Sequence, residues 1–211
     1  MKLYYSPLSP NCRRVLLTAA QLGVALEEQV LDLTKGENKN ADYLAINPNG
    51  MVPTLVDGKF VLWESRAILQ YLASKKPAAG LLGNNENERI DIMRWQCWDA
   101  AHLSSEIQIV AWENIIKGML GMGVPDQKAV AAAMEQVKRF CGVLDTSVKG
   151  KKYIVGDSLT VADLTIAATF TYAEQLHIPV SSFPNLKAWF ERITALEAWK
   201  KTQPTLPKKA A

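Results

Sequence analysis

A proline at the mouth of an apolar run, Met51-Val-Pro-Thr-Leu55, is followed shortly by Trp63-Glu-Ser-Arg-Ala67, and no other stretch narrows the available folds as much. Proline brings no N–H to a sheet ladder, so Pro53 belongs at the start or edge of a strand. The turn Asp57-Gly58 then reverses the chain, and Phe60–Trp63 reads as the return strand of a hairpin. An X-Pro bond in a tight turn is often cis. The backbone N–H and C=O of Val52 would then be open to an extended ligand, paired as an added strand. A helix starting at Ser65 offers unpaired N–H groups and a partial positive charge, which suits a carboxylate. Together these features describe a site for a small, peptide-like anion.

The surrounding sequence supplies a frame for that hairpin. Lys2–Tyr5 is a short β-prone run, and Ser9-Pro10 opens a helix, since serine caps well and proline favours the first helical position. Cys12, Val15, Leu16, Ala19 and Leu22 follow helical spacing up to a stop at Gly23. Glu28–Leu33 alternates as a strand, and Ser65–Ser74 is helical until Lys75-Lys76-Pro77. Residues 1–76 thus read as β-α-β followed by β-β-α. Residues 77–86, with Pro77, Gly80 and Gly83, read as a linker. Residues 87–211 carry almost no strand signal and contain helical stretches at Asn87–Ile116, Asp126–Lys149 and Phe183–Leu196. Within Ser158–Leu164, Thr160 and Asp163 form a capping box, with Leu159 placed to staple onto Leu164. The expected fold class is α/β plus all-α.

Composition removes several function classes. The net charge is only +3, and Lys200, Lys201, Lys208 and Lys209 read as a solvated tail rather than a nucleic-acid patch. No apolar run approaches the ~18 residues of a membrane span, and the N-terminus lacks a secretory signal. Cys12, Cys97 and Cys141 are odd in number and lack metal-ligand spacing, which points to reduced thiols in a cytoplasmic setting. His102 and His177 alone give little basis for a zinc site or a His-based triad.

Four stretches, in order, resemble the cytosolic glutathione S-transferases over essentially the whole chain. Ser9-Pro-Asn-Cys-Arg-Arg-Val15 looks like the first-helix start of the serine-type classes, and Asn47-Pro-Asn-Gly-Met-Val-Pro53 like the loop before the cis-proline. Trp63-Glu-Ser-Arg-Ala-Ile68 resembles the glutamyl-binding motif, and Ser158–Leu164 the capping box of the helical domain. The segment 35–44 leans toward the phi-like and theta- or delta-like branches, with a bacterial source expected. The resemblance implies a thioredoxin-like domain over 1–76 and an all-helical domain over 87–211.

What the resemblance implies for the site goes residue by residue. Ser9 donates a hydrogen bond to the sulfur of glutathione, the co-substrate, and no metal takes part. Val52 pairs its backbone with the cysteinyl part beside Pro53. Glu64 holds the γ-glutamyl ammonium and Ser65 its carboxylate, while Lys39 and Asn38 meet the glycine carboxylate. Trp112, Ile115, Ile116 and Met119 fall at helical spacing and are either a wall for a hydrophobic electrophile or core. A homodimer is implied, with Asp99 reaching toward the neighbour's glutathione. Neither nucleic acid nor membrane is an expected partner. The activity implied is conjugation in detoxification. A regulatory binding protein of the same fold, and a thiol-disulfide reductase using Cys12, are the alternatives. Tyr4 and Tyr5 are read as structural.

Overall fold

The structure, a computed structural model, describes residues 1–204 and divides into two units, Met1–Ala79 with the segment from Leu196 onward, and Gly80–Ala195.

In the first unit a four-stranded sheet runs in the order β2-β1-β3-β4. Strand β1 (Lys2–Tyr5) pairs parallel with β2 (Glu27–Val30) and antiparallel with β3 (Thr54–Asp57), which forms a hairpin with β4 (Phe60–Trp63). Helix α1 (Pro10–Leu22) begins under the Ser9 cap and ends at Gly23. Gly23 sits at φ 63°, so its N–H can reach back to the carbonyls of Ala19 and Ala20. A short helix α2 (Ala41–Ile46) precedes the hairpin, and α3 (Ser65–Ser74) follows it and packs on α1. Leu3, Val15, Leu17, Leu55, Ile68, Leu69 and Leu72 fill the space between them. Each fully buried aliphatic side chain contributes roughly 1.5–3 kcal/mol.

Two strand boundaries differ from the sequence reading. β2 stops at Val30 because the Asp32 carboxylate accepts the Thr34 N–H and turns Leu33–Lys35 into a short 3-10 turn. β3 begins at Thr54, and Asp57 pairs with Phe60, so the loop is Gly58-Lys59.

The last described helix, α10 (Glu197–Lys201), belongs with the first unit, although the sequence assigns it to the helical domain. Its seat is α1. The Arg13 guanidinium lies 3.7 Å from the Trp199 ring centroid and donates to the Trp199 carbonyl at 3.3 Å and to Gln203 Oε1 at 2.7 Å. Lys208 and Lys209 lie outside the described residues.

The second unit is helical. The expected helix over 87–116 is a rod, α4 (Glu86–Trp98), α5 (Ser104–Ala111) and α6 (Lys117–Met119), joined through π turns at Asp99–Leu103 and Trp112–Ile116. It is followed by α7 (Gln127–Val148), α8 (Val161–Thr169) and α9 (Pro184–Thr194). Every residue of α8 is buried. The capping box forms as read: the Thr160 side chain accepts from the first turn of α8, and Asp163 reaches back to the Thr160 N–H at 2.9 Å.

Helix α9 lacks a cap of its own, since Phe183 occupies that position. Asp145, on α7, substitutes for one by accepting from the N–H groups of Asn185 (2.7 Å) and Leu186 (2.9 Å) and from the Asn185 side chain (2.9 Å). Partial desolvation raises the Asp145 pKa, but these donors outweigh it and hold the carboxyl below its ordinary value. A depressed folded-state pKa gives stability that is present above the unfolded value near 3.8 and lost as pH falls through the folded one. Asp145→Asn is therefore expected to cost about 1 kcal/mol at pH 7. In urea titrations across pH that difference should be flat above about pH 5 and shrink below about pH 4. A difference constant down to pH 2.5 would contradict the capping role of the charge.

Candidate active site

Ser9 sits at the positive end of a 13-residue helix, in extended backbone (φ −81°, ψ 120°) and half-buried. Its Oγ accepts the Cys12 N–H at 3.4 Å. Capping uses a lone pair of the oxygen and leaves the hydroxyl hydrogen to donate elsewhere. One serine can therefore cap the helix and hold an anion at once.

Cys12, one turn further, is fully buried, with its sulfur accepting the Ser6 N–H at 3.4 Å. Burial pushes the thiol up to about 11, against opposing hydrogen bonds and the Arg14 charge. At neutral pH only about one thiol in ten thousand would be ionised. Tyr5 is occupied as well. Tyr5 donates to Glu28 Oε2 at 2.5 Å, and its phenol is pushed up to about 12 by burial and by the Glu28 carboxylate. The Tyr4 ring lies 5.8 Å from that of Tyr43.

The Val52-Pro53 bond is cis, and its loop rests on a buried polar knot. Asn47 Nδ2 donates to the Met51 carbonyl (2.8 Å) and to Thr54 Oγ1 (2.9 Å), while Asn47 Oδ1 accepts the Asn49 N–H (3.1 Å). The Tyr43 hydroxyl donates to the same Met51 carbonyl at 2.5 Å. Met51 itself points outward, 62% exposed. Among the described residues, the N–H and C=O of Val52 make no hydrogen bond. Asn38 Nδ2 (2.7 Å) and Lys39 Nζ (3.1 Å) converge on the Gly50 carbonyl. Gly50 has φ +57°, and a Cβ there would meet Lys39 Nζ at 2.8 Å and the Asn38 carbonyl oxygen at 3.0 Å. The Lys39 amine could swing aside, but the Asn38 backbone carbonyl and the positive φ together favour glycine here.

Glu64 and Ser65 open α3. Glu64 adopts φ 72°, ψ 108°, a left-handed conformation costing a non-glycine residue about 1–3 kcal/mol, and is exposed. Such conformations gather at ligand sites. Ser65 is buried, and its Oγ accepts from Arg14 Nη1 at 3.3 Å. The same Nη1 donates to Asn11 Oδ1. Arg14 has no exposed surface. The sequence reading missed Arg14, Asn11, Tyr43 and Asn47 as contributors. A pair of arginines on a helix reads as solvent-facing, yet both Arg13 and Arg14 are buried, on separate partners.

Trp112, Ile115 and Met119 lie in the helical unit, on the second π turn and α6. Trp112 (38%), Ile116 (37%) and Met119 (56%) are exposed, so they are surface rather than core. The apolar surface continues through Leu120, Met122 and Val124. Asp99 departs from expectation: it is fully buried inside the helical unit and accepts the Thr169 hydroxyl hydrogen at 2.8 Å, so it is not available to a neighbouring subunit.

Comparison with known proteins sets this geometry in context. The glutathione S-transferase N-terminal domain matches residues 1–74, and the glutathione S-transferase C-terminal domain matches residues 104–197. Glutathione S-transferase 3 of Zea mays is 35% identical over 213 residues, covering 98% of this chain and 95% of that protein. A probable glutathione S-transferase of Oryza sativa subsp. japonica is 34% identical, covering 92% of each. Among solved structures, maize glutathione S-transferase I in complex with an atrazine glutathione conjugate superposes with a TM-score of 0.87 at 30% identity, covering 96% of this chain and 95% of that one.

Proposed function

The chain belongs to the glutathione S-transferase family, and from that membership we propose that it joins the thiolate of its co-substrate glutathione to hydrophobic electrophiles, with Ser9 as the catalytic residue. The divided use of the Ser9 hydroxyl carries this reading: its oxygen caps α1 while its hydrogen is left for an anionic sulfur. That donor and the helix N-terminus favour thiolate over thiol and bring the sulfur below the ~8.5 of a free thiol. The thiol proton leaves to water. The thiolate then forms the C–S bond, and the leaving group departs with its bonding pair. Such a displacement needs little beyond proximity and alignment.

In this reading the first unit holds glutathione. Val52, beside Pro53, offers its unpaired N–H and C=O to the cysteinyl backbone. Glu64 takes the γ-glutamyl ammonium, and Ser65 with the α3 N-terminus takes the adjacent carboxylate. Lys39 uses one of its three N–H donors on Gly50 and Asn38 one of its two, which leaves donors for the glycine carboxylate. Trp112, Ile115 and Met119 offer apolar surface to the electrophile. Cys12 takes no redox part, because a reductase needs an accessible, ionisable thiol.

The same reading makes the protein a serine-type enzyme of cytoplasmic detoxification, and no described helix is long and apolar enough to cross a membrane. It forms a homodimer, for which Ile90 and Met93, both more than half exposed on α4, supply apolar contact surface. A bacterial source draws no support from relatives in maize and rice.

Calorimetry with glutathione on the intact protein and on Ser65→Ala tests the reading. Binding should weaken roughly tenfold to a hundredfold in the variant. No detectable binding to the intact protein at millimolar glutathione would overturn it in favour of a regulatory protein.

A further inference from the structure

Arg14 lies behind Ser65 at the start of α3. It lies between α1 and α3, has no exposed surface, and sends Nη1 to both Ser65 Oγ (3.3 Å) and Asn11 Oδ1. A guanidinium can only donate, so the direction of the Arg14–Ser65 bond is fixed: the serine oxygen accepts. The Ser65 hydrogen is thereby turned away from Arg14 and is available to a ligand. Asn11, also on α1, holds the guanidinium in place. The charge is permanent, because arginine does not lose its proton in a protein. It therefore adds a buried positive field behind the first N–H groups of α3, where little water screens it.

We propose that Arg14 is the positioning residue that turns Ser65 into a carboxylate receptor, so that selectivity for the α-carboxylate of the γ-glutamyl group is set from beneath the site. The inference rests on the glutathione-binding reading above. Arg14 does not touch the ligand; it acts by fixing the polarity of the Ser65 hydroxyl and by its charge. Glu64, on the exposed side of the same helix start, supplies the opposite charge. The pair then matches a zwitterionic amino-acid head, carboxylate over Ser65 and ammonium over Glu64.

The test compares two ligands by calorimetry on the full chain: glutathione, and 4-aminobutanoyl-cysteinylglycine, which keeps the ammonium and lacks only that carboxylate. The intact protein should prefer glutathione by about tenfold or more. In Arg14→Gln the preference should fall below about threefold, chiefly because glutathione binding weakens while the analogue is little affected. A merely structural arginine would weaken both ligands equally, and an unchanged preference in a folded variant overturns the proposal. Should Arg14→Gln not fold, Arg14→Lys carries the test: its ammonium keeps the charge and can only donate, so glutathione should stay preferred to within about threefold of the intact protein, and loss of the preference in a folded variant overturns the role. Failure of the intact protein to bind either ligand would bring down the glutathione reading and this inference with it. Glutathione binding with no preference over the analogue in the intact protein would remove the Arg14 role alone.

Discussion

Ser9→Ala is expected to slow conjugation by about 100-fold at neutral pH, the range seen when a single donor to a developing or resident anion is removed. Glutathione binding should change far less, since the residues proposed to hold it, Val52, Glu64, Ser65 and Lys39, are untouched. The pH profile gives the sharper readout. Without the donor, the bound thiol returns toward the free value of about 8.5, so the deficit should be largest below that pH and narrow above it. Loss of the cap also destabilises α1, but at 3.4 Å from Cys12 N that contribution belongs at the low end of about 0.5–2 kcal/mol. Ser9→Asp, which keeps a capping acceptor but has no hydrogen to donate at neutral pH, separates the two effects: stability should return and activity should not. Equal losses in binding and turnover for Ser9→Ala, with an unshifted pH profile, would show that Ser9 serves binding or folding alone.

The largest effect on stability should come from Asp163→Ala. This fully buried carboxylate accepts from four donors: the Ile154 N–H and Trp189 Nε1 on one oxygen, each at 2.9 Å, and the Thr160 N–H (2.9 Å) and hydroxyl (3.0 Å) on the other. It joins the start of α8, α9 and the segment before α8 in one knot. Truncation to alanine strands buried donors at about 1–3 kcal/mol each, partly relieved by relaxation. A total loss of roughly 3–5 kcal/mol, or about 10 °C in Tm, is expected by calorimetry or urea titration. Asp163→Asn should recover only part of this, because its amide turns a donor toward donors. A loss under about 1 kcal/mol would mean that water or a neighbour satisfies these groups.

Local chemistry made most of the first unit legible in advance. Ser9-Pro10 and Gly23 bracket α1, Ser65–Ser74 matches α3 residue for residue, and the Thr160–Asp163 box forms as read. Each is set within a few residues by capping, proline geometry or glycine's freedom at positive φ. What stayed hidden depends on partners distant in the chain. Asp145 caps α9 from 40 residues away, Arg13 meets Gln203 across 190, and Arg14 reaches Ser65 across 51. No periodicity reports a buried guanidinium whose acceptors lie on other helices. The π turns were equally invisible, since they add no residue type that breaks a helix. Asp99 was placed at a subunit contact for want of any sequence sign that Thr169 would enclose it.

The return of α10 to α1 bears on how the protein comes into being on the ribosome. The first 79 residues are synthesised early, yet the acceptors that hold Arg13, the Trp199 carbonyl and Gln203 Oε1, emerge more than 100 residues later. At ~5–20 residues per second the nascent unit waits on the order of ten seconds with that cationic seat unfilled. Its completion is therefore tied to residues made more than 100 positions later, and a product truncated before α10 lacks the Trp199 carbonyl and Gln203 as acceptors for Arg13.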